Sequence, residues 1–479
     1  MNKNNYQLPD LAKARIRSLE KVTVNHQQFA IDETMKILGV NRQFFLRTYG
    51  CQANERDAET IAGILMAMGY RQCTTPEAAD LIILNTCAVR KNAEDKVFGE
   101  LGMLKQLKKT NPDLMFAVCG CMPQEEAVVK ELLQVYPHVD LIFGTHNIHN
   151  LPRLLYQATM SRERVVEVFS KEGEVVENLP AKRFGKHKAW VNIMYGCNKF
   201  CTYCIVPYTR GKERSRTHEE IIKEVNELKH DGYREVTLLG QNVNSYGKDL
   251  GDYDFADLLL EVADTGIERV RFMTSHPWDF SQRMIDAIAS RKNIMPFIHL
   301  PVQSGDNAML KIMGRRYTIE QYKDLYDRIK VKLPNCAFST DIIVGFPNES
   351  EAQFQHTLDI VDYCQYDNAF TFIYSPRAGT PAAKMQDNVA FEVKQERLQR
   401  LNEKTNGYAR QNNEKYVGKI VKVLVDGPSK KNKTVLSGYS EAQKLVNFVG
   451  DETVKIGDIV DVRITEAKSW SLNGELVKE

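Results

Sequence analysis

Short apolar runs alternate with longer amphipathic stretches along most of this chain, and a cysteine or a polar residue stands just past the end of many of the runs. The first four are Phe44-Phe45-Leu46-Arg47-Thr48, Leu81-Ile82-Ile83-Leu84, Met115-Phe116-Ala117-Val118 and Leu141-Ile142-Phe143. Helical stretches such as 57–68 and 125–135 lie between them. Runs this short and sharply bounded read as strands, and strand alternating with helix predicts an α/β parallel sheet covered on both faces. In such a sheet the carboxyl ends of the strands share one edge, where ligands bind. Cys51, Cys87 and the pair Cys119 and Cys121 each follow one of the first three runs. Thiols far apart in sequence are therefore expected to meet at that edge, either as metal ligands or as buried core residues.

A second, longer series begins at Trp190. Candidate strands fall at 189–195, 236–240, 270–274, 297–301, 337–343 and 369–374. The clearest intervening helix opens with Thr217-x-x-Glu220, the pattern of a capping box, and sets Ile221, Ile222, Val225 and Leu228 on one face. Residues 411–476 then change to a purely β pattern punctuated by Gly418, Gly427, Gly438, Gly450 and Gly457, which predicts a small five-stranded barrel of OB type. The expected organisation is an extension over 1–41 with Arg15 and Lys21 in a helix, an α/β domain over 42–155, a connector over 156–188, a βα series over 180–408 and the small barrel over 411–476.

Cys197-x-x-x-Cys201-x-x-Cys204 opens the second series, directly after Trp190-Val191-Asn192-Ile193-Met194. Thiolates this close in sequence can turn toward one metal centre. A closed [4Fe–4S] cluster takes four protein thiolates and structural zinc takes four Cys or His ligands. Zinc sites usually pair two Cys-x-x-Cys units, and here the second is missing. Three thiolates leave one iron open for a small molecule. Ten cysteines in a chain that begins without an apolar signal core and holds no run of 18 apolar residues favour a cytoplasmic protein that binds metal rather than forming disulfides. A net charge of +2 says nothing about partners, so any nucleic-acid footprint must be local. Two local candidates exist. Residues 181–216 carry nine Lys or Arg and one acid, Glu213, and the turn after Pro428 carries Lys430, Lys431 and Lys433.

The run from Gly196 through Cys204 to Gly211 resembles the signature of the radical S-adenosylmethionine (SAM) superfamily, and within it the methylthiotransferase branch. The resemblance implies two [4Fe–4S] clusters. One lies on Cys197, Cys201 and Cys204, with the open iron chelating SAM, whose reductive cleavage yields a 5′-deoxyadenosyl radical. The other lies on Cys51, Cys87 and Cys121, because Gly120-Cys121-Met122-Pro123-Gln124 matches the family's Gly-Cys-x-x-Gln. Cys119 is then left over as a packing residue, with Cys73, Cys336 and Cys364. It also implies a partial (β/α)6 barrel for the six βα units and a TRAM domain for the small barrel. SAM contacts are expected from strand ends: Gly240 and Gln241, Ser275, Gln303, Arg316 and Asp341. No catalytic side chain beyond the cysteines is implied, and His276 and His299 read as core histidines.

The activity so implied is insertion of sulfur and a methyl group at C2 of N6-isopentenyladenosine, position 37 of tRNA. The partners so implied are a tRNA anticodon loop, an electron donor such as flavodoxin or ferredoxin, and a sulfur donor. A monomer is expected. Relatives with the same chemistry act on threonylcarbamoyl-adenosine or on a ribosomal-protein aspartate. A non-catalytic metal-bearing RNA-binding protein is the reading from another class, and it requires zinc. A ferredoxin-like carrier would need a fourth thiolate at each cluster.

Overall fold

The structure is a computed structural model that describes Tyr6, Pro9 and residues 24–89, 91–168, 174–430 and 432–477. Arg15, Lys21 and Lys431 lie outside the described residues.

The first unit is a six-stranded, wholly parallel sheet built from β2 (Gln43–Tyr49), β3 (Arg71–Gln72), β4 (Leu81–Thr86), β5 (Met115–Gly120), β6 (Leu141–Phe143) and β7 (Val165–Glu167), in the order β3-β2-β4-β5-β6-β7. Side chains alternate between its two faces, as strand geometry requires. Phe44, Leu81, Ile83 and Ala117 pack with α1 (Gln52–Ala67) and α4 (Leu151–Ser161). Phe45, Ile82, Leu84 and Phe116 pack with α2 (Lys91–Leu104) and α3 (Glu126–Val135). The sheet runs past residue 155, because β7 closes one edge of it. The stretches read as extension and connector also meet: β1 (Asn25–Gln28) pairs in parallel with β8 (Glu174–Glu177). All four residues of β1 are polar and exposed, so nothing apolar in the sequence marks it as a strand.

Six parallel strands follow: β9 (Lys188–Asn192), β12 (Glu235–Leu239), β13 (Arg269–Phe272), β14 (Phe297–His299), β15 (Ala337–Val344) and β16 (Asn368–Ile373). They form two three-stranded sheets, β13-β12-β9 and β14-β15-β16. A bridge between Val270 and Ile294 joins the halves into one open arc. Two short strands, β10 (Met194–Tyr195) and β11 (Arg214–Ser215), pair above β9 and bracket the cysteine loop. Val191, Val236, Leu238, Val270, Phe272, Ile298, Phe338, Ile342 and Val344 point outward into one core beneath the surrounding helices. The residues between them therefore face the lumen, among them Glu235, Arg269, Arg271, His299, Asp341, Phe370 and Phe372.

The helix expected from residue 217 is α5 (His218–His230), with Ile221, Val225 and Leu228 buried and Ile222 packed at the core's margin. Its capping box does not form. Thr217 N–H donates instead to Glu177 Oε1 at 3.3 Å, and Glu220 accepts from Gln28 at 3.4 Å, so tertiary contacts to β1 and β8 displace the local pair.

A 24-residue helix, α6 (Phe391–Glu414), leads to the closed barrel β17-β18-β19-β21-β20, built from β17 (Ile420–Pro428), β18 (Leu436–Ser440), β19 (Leu445–Val449), β20 (Ile459–Ala467) and β21 (Leu472–Leu476). It sits on the amino ends of the large barrel's strands. Arg269 donates to the carbonyls of Tyr439 and Lys422, both at 2.9 Å, and Arg271 to those of Glu441 and Ser440 at 2.9 and 2.8 Å. Lys444 reaches Asp367 at 2.7 Å. The carboxyl ends, which carry the cysteine loops, stay uncovered by it.

Candidate active site

Cys51 follows β2 and is the N-cap residue of α1, Cys87 follows β4, and Cys121 follows β5. The three thiols meet as the parallel topology requires. The neighbouring Cys87 thiol lowers Cys51, to about 5, with help from the nearby Arg210 charge. Cys121 Sγ accepts from Arg210 Nε at 3.2 Å and from Asn54 Nδ2 at 3.9 Å. The backbone here is crowded. Gly120 has φ +100°, and a Cβ on it would lie 2.3 Å from the Thr86 carbonyl oxygen, so only glycine lets β5 turn tightly enough to present Cys121. Cys119, still within β5, is buried among Phe44, Ile83 and Leu141.

Cys197, Cys201 and Cys204 lie on one loop that is tied down at many points. Gly196 N–H donates to Gln241 Oε1, Cys197 N–H to the Gly211 carbonyl at 3.0 Å, and Thr202 N–H to the Met313 carbonyl at 2.9 Å. Gly196 has φ +75°, and a Cβ there would overlap the Lys212 carbonyl. Lys199 pairs with Asp279 at 2.5 Å; Asp279 also holds Lys248 at 2.7 Å and Asn242 at 2.8 Å. Arg315, buried, donates to Cys201 Sγ at 3.6 Å and to the Pro301 carbonyl at 2.9 Å. Burial pushes the Cys204 thiol up to about 12 and Cys197 well above its usual value. These thiols stay protonated unless a metal displaces the proton.

The two triads are neighbours. Ile205 and Tyr208, just past Cys204, pack in one cluster with Cys121 and Ala88, and Phe200 closes over it edge-on to Tyr208 at 5.6 Å.

Buried polar atoms without a partner gather at both triads. Asn85 Oδ1, Thr86 Oγ1, both side-chain amide atoms of Gln124 and Glu125 Oε1 adjoin the first, and Asn242 Oδ1, Asn244 Oδ1, Ser275 Oγ and His276 Nε2 adjoin the second. A buried polar group left unpaired costs about 1–3 kcal/mol. Such a concentration fits sites built to receive a polar group. Among the described residues no three His, Cys, Asp or Glu side chains stand so as to hold one metal ion; a four-iron cube takes each thiolate on a different iron. Three soft thiolates and no fourth donor fit a cube with one open corner.

Comparison with known proteins decides the family. Residues 191–361 match the model of the radical SAM superfamily, 43–144 that of an uncharacterized protein family, UPF0004, and 414–477 that of the TRAM domain. The chain is 58% identical over 476 residues to the tRNA-2-methylthio-N(6)-dimethylallyladenosine synthase of Bacillus cytotoxicus, covering 99% of this chain and 93% of that one. The synthase of the same name from Staphylococcus aureus strain MRSA252 is also 58% identical, over 99% and 92%. The chain belongs to the tRNA-2-methylthio-N(6)-dimethylallyladenosine synthase family. Among solved structures, the radical SAM methyltransferase TsrM of Kitasatospora setae, with cobalamin and a [4Fe–4S] cluster bound, shares the fold at a TM-score of 0.52 and 13% identity, over 71% of this chain and 74% of that one.

The side chains expected to hold SAM line the rim and lumen of this synthase-family barrel, with different partners. Gly240 presents its carbonyl to Thr274 Oγ1. Gln241 spends its side-chain oxygen on Gly196 N–H and so holds the cysteine loop. Ser275 is buried with a free hydroxyl. Gln303 sits at φ +68°, with its N–H donated to the Asp341 carbonyl at 2.9 Å. Asp341 faces His299 at 3.4 Å. Arg316 is exposed at φ +50° and lies over Trp278 at 5.5 Å, while its neighbour Arg315 turns inward to the cysteines. His276 is held neutral, near 2, by burial and by the Arg315 charge. The sequence reading missed Asp279, Asn242, Arg315 and the pair Arg210–Asp57. Each is a common polar residue in an ordinary context, and only the fold makes it a support of the site.

The basic stretch 181–216 is not the open rim expected of it. Arg210, Arg214 and Arg216 are buried, and Arg183, Lys188, Lys199, Arg210 and Arg216 are ion-paired to Glu59, Asp426, Asp279, Asp57 and Glu177. Lys182 and Lys186 remain exposed. Arg183 and Arg210 reach acids of α1 across the seam with the first domain, Arg216 reaches β8, Lys188 the small barrel, and Lys199 stays within the large barrel. Among the described residues no helix is long and apolar enough to cross a membrane.

Proposed function

We propose that this enzyme inserts a methylthio group at C2 of N6-isopentenyladenosine, position 37 of a tRNA anticodon loop, using two [4Fe–4S] clusters. The observation that carries the reading is the adjacency of two three-cysteine sets, each at the carboxyl edge of its own parallel sheet and joined through Ile205, Tyr208 and Cys121. Cys197, Cys201 and Cys204 would hold the cluster that binds SAM, and Cys51, Cys87 and Cys121 the second. With SAM bound, the first cluster would supply a radical able to take hydrogen from an unactivated carbon, and the second would offer a place for sulfur.

The protein's own part is to fix and to shield. Asp279, through Lys199, and Gln241, through Gly196, fix the first cysteine loop. Gly240, Ser275, Gln303, Arg316 and Asp341 are the groups we assign to SAM. Phe370 and Phe372, 46% and 43% exposed on the lumen face, give an apolar wall suited to a splayed adenine and its isopentenyl group. The reductant, a flavodoxin or ferredoxin, and the sulfur donor come from outside this chain. The reaction belongs to the cytoplasm, where tRNA is, and we assign it to the monomer.

Anaerobically reconstituted protein should hold about eight irons, and Cys201→Ala about four, as two four-iron clusters require. Stoichiometric zinc in their place would leave the RNA-binding reading standing. Nucleoside analysis of tRNA from cells lacking the protein should find the 2-methylthio modification gone and its isopentenyl precursor accumulated. An unchanged modified nucleoside would end the tRNA assignment.

A further inference from the structure

Arg210 lies on the barrel's cysteine loop, six residues beyond Cys204, yet its side chain belongs to the other domain's site. Its Nε donates to Cys121 Sγ at 3.2 Å, and its Nη2 donates to Asp57 Oδ2 at 2.6 Å. Asp57 is on α1, the helix that starts at Cys51. Arg210 is 6% exposed and Asp57 5%. The backbone is fixed as well, since Arg210 N–H donates to the Val206 carbonyl at 2.8 Å and closes the short helix there. A guanidinium offers several donors in a rigid plane. Here one donor meets a sulfur, one meets the carboxylate that neutralises the charge, and burial leaves little room for solvent to compete.

We propose that Arg210 is a positioning residue of the radical SAM domain that sets the reduction potential of the cluster held in the first domain. This rests on the two-cluster reading above. A hydrogen bond from a fixed cation to a ligating sulfur stabilises the more negative, reduced cluster, so it raises the potential. Because the donor is anchored beside Cys204, the tuning depends on the two domains being docked, and the loop that carries one cluster's ligands also adjusts the other cluster. An arginine that served only to join the domains would leave the potential alone.

The test uses the full-length chain with Cys197, Cys201 and Cys204 changed to Ala, so that only the first domain's cluster is present. Its midpoint is read by potentiometric titration followed by electron paramagnetic resonance, with Arg210 intact, Arg210→Gln and Arg210→Lys. Arg210→Gln should make reduction about tenfold less favourable, a fall of about 59 mV for one electron. Arg210→Lys, which keeps the charge without the planar geometry, should fall between. A change below about threefold, or a rise, overturns the proposal. If Arg210→Gln loses its iron while Arg210→Lys keeps it, the bond to Cys121 is again supported; loss from both assigns Arg210 to folding and overturns it. A parent without iron would sink the two-cluster reading itself, and the role of Arg210 with it.

Discussion

Burial, more than residue type, determines what each polar side chain near these cysteines can do. Each triad has one buried guanidinium on one sulfur, Arg210 on Cys121 and Arg315 on Cys201, and each guanidinium reaches across from another part of the chain. Glu125, at the start of α3, is the counter-case. It is 7% exposed with one oxygen unpartnered. Burial and the neighbouring Glu94 raise it to about 7, against the pull of Arg377 and Lys91. A carboxyl raised in the folded state favours the fold below its unfolded value near 4.5, and that advantage is lost as pH climbs through 7. The loss amounts to about 3 kcal/mol. Glu125→Gln, neutral at every pH, should therefore raise the unfolding midpoint of the metal-free protein at pH 8, with the gain shrinking toward pH 5. Equal gains at both values would mean that the carboxyl is already ionised without penalty. The cysteines were legible in the sequence because spacing and strand-end position survive translation into space. Arg315 was not, since nothing in Gly314-Arg315-Arg316 says which arginine turns inward; the positive φ at Arg316 decides it.

At the level of elements, the seam between the two α/β units carries a buried ion network beside the apolar cluster around Tyr208. Glu224 of α5 meets Arg56 at 3.4 Å, Arg216 at 2.6 Å and Arg183, and Arg183 continues to Glu59 at 3.0 Å. The three arginines hold the Glu224 carboxyl well below the usual carboxylate range despite its burial. Its contribution is thus present above about pH 4.5 and fades as acid protonates it. Removing one member of a buried ionic set costs about 3–5 kcal/mol, because the others are left uncompensated. The network lines a cavity of about 340 Å³, so solvent is near, and we expect the lower figure. Glu224→Ala should lower the denaturant midpoint accordingly and open the 178–186 segment to protease. Wild-type resistance there would mean that the arginines find other partners. The same network explains why nine cations in 36 residues misled as a sign of RNA. One sequence cannot show which acids, on α1, α5, β8 and beyond, come to meet them. The strand–helix series itself was readable because each strand alternates a core side with a lumen side, whereas β1, polar throughout, carried no such mark.

Across the whole molecule, the small barrel occupies the amino ends of the large barrel's strands and the cysteine loops the carboxyl ends. β15, eight residues long, spans roughly 25 Å at about 3.3 Å per residue, so an RNA that touches both must run the length of the barrel. Lys430 and Lys433 are exposed on the turn between β17 and β18, and Lys182 and Lys186 on the segment leading into β9. Among the described residues of the two basic stretches, these four, rather than the buried arginines, are exposed to meet phosphate. Four phosphates of a flexible loop neutralised at about 0.7 each predict a log–log salt slope for tRNA affinity near −3. Lys430→Ala with Lys433→Ala should remove about 1.4 from that slope and weaken binding alike for every tRNA sequence, since phosphate contacts carry no base information. Lys182→Ala with Lys186→Ala should remove a similar amount. If the first pair leaves the slope unchanged while the second abolishes most of it, the small barrel serves to close the large one, through Arg269 and Arg271, and the RNA approaches from the seam side alone.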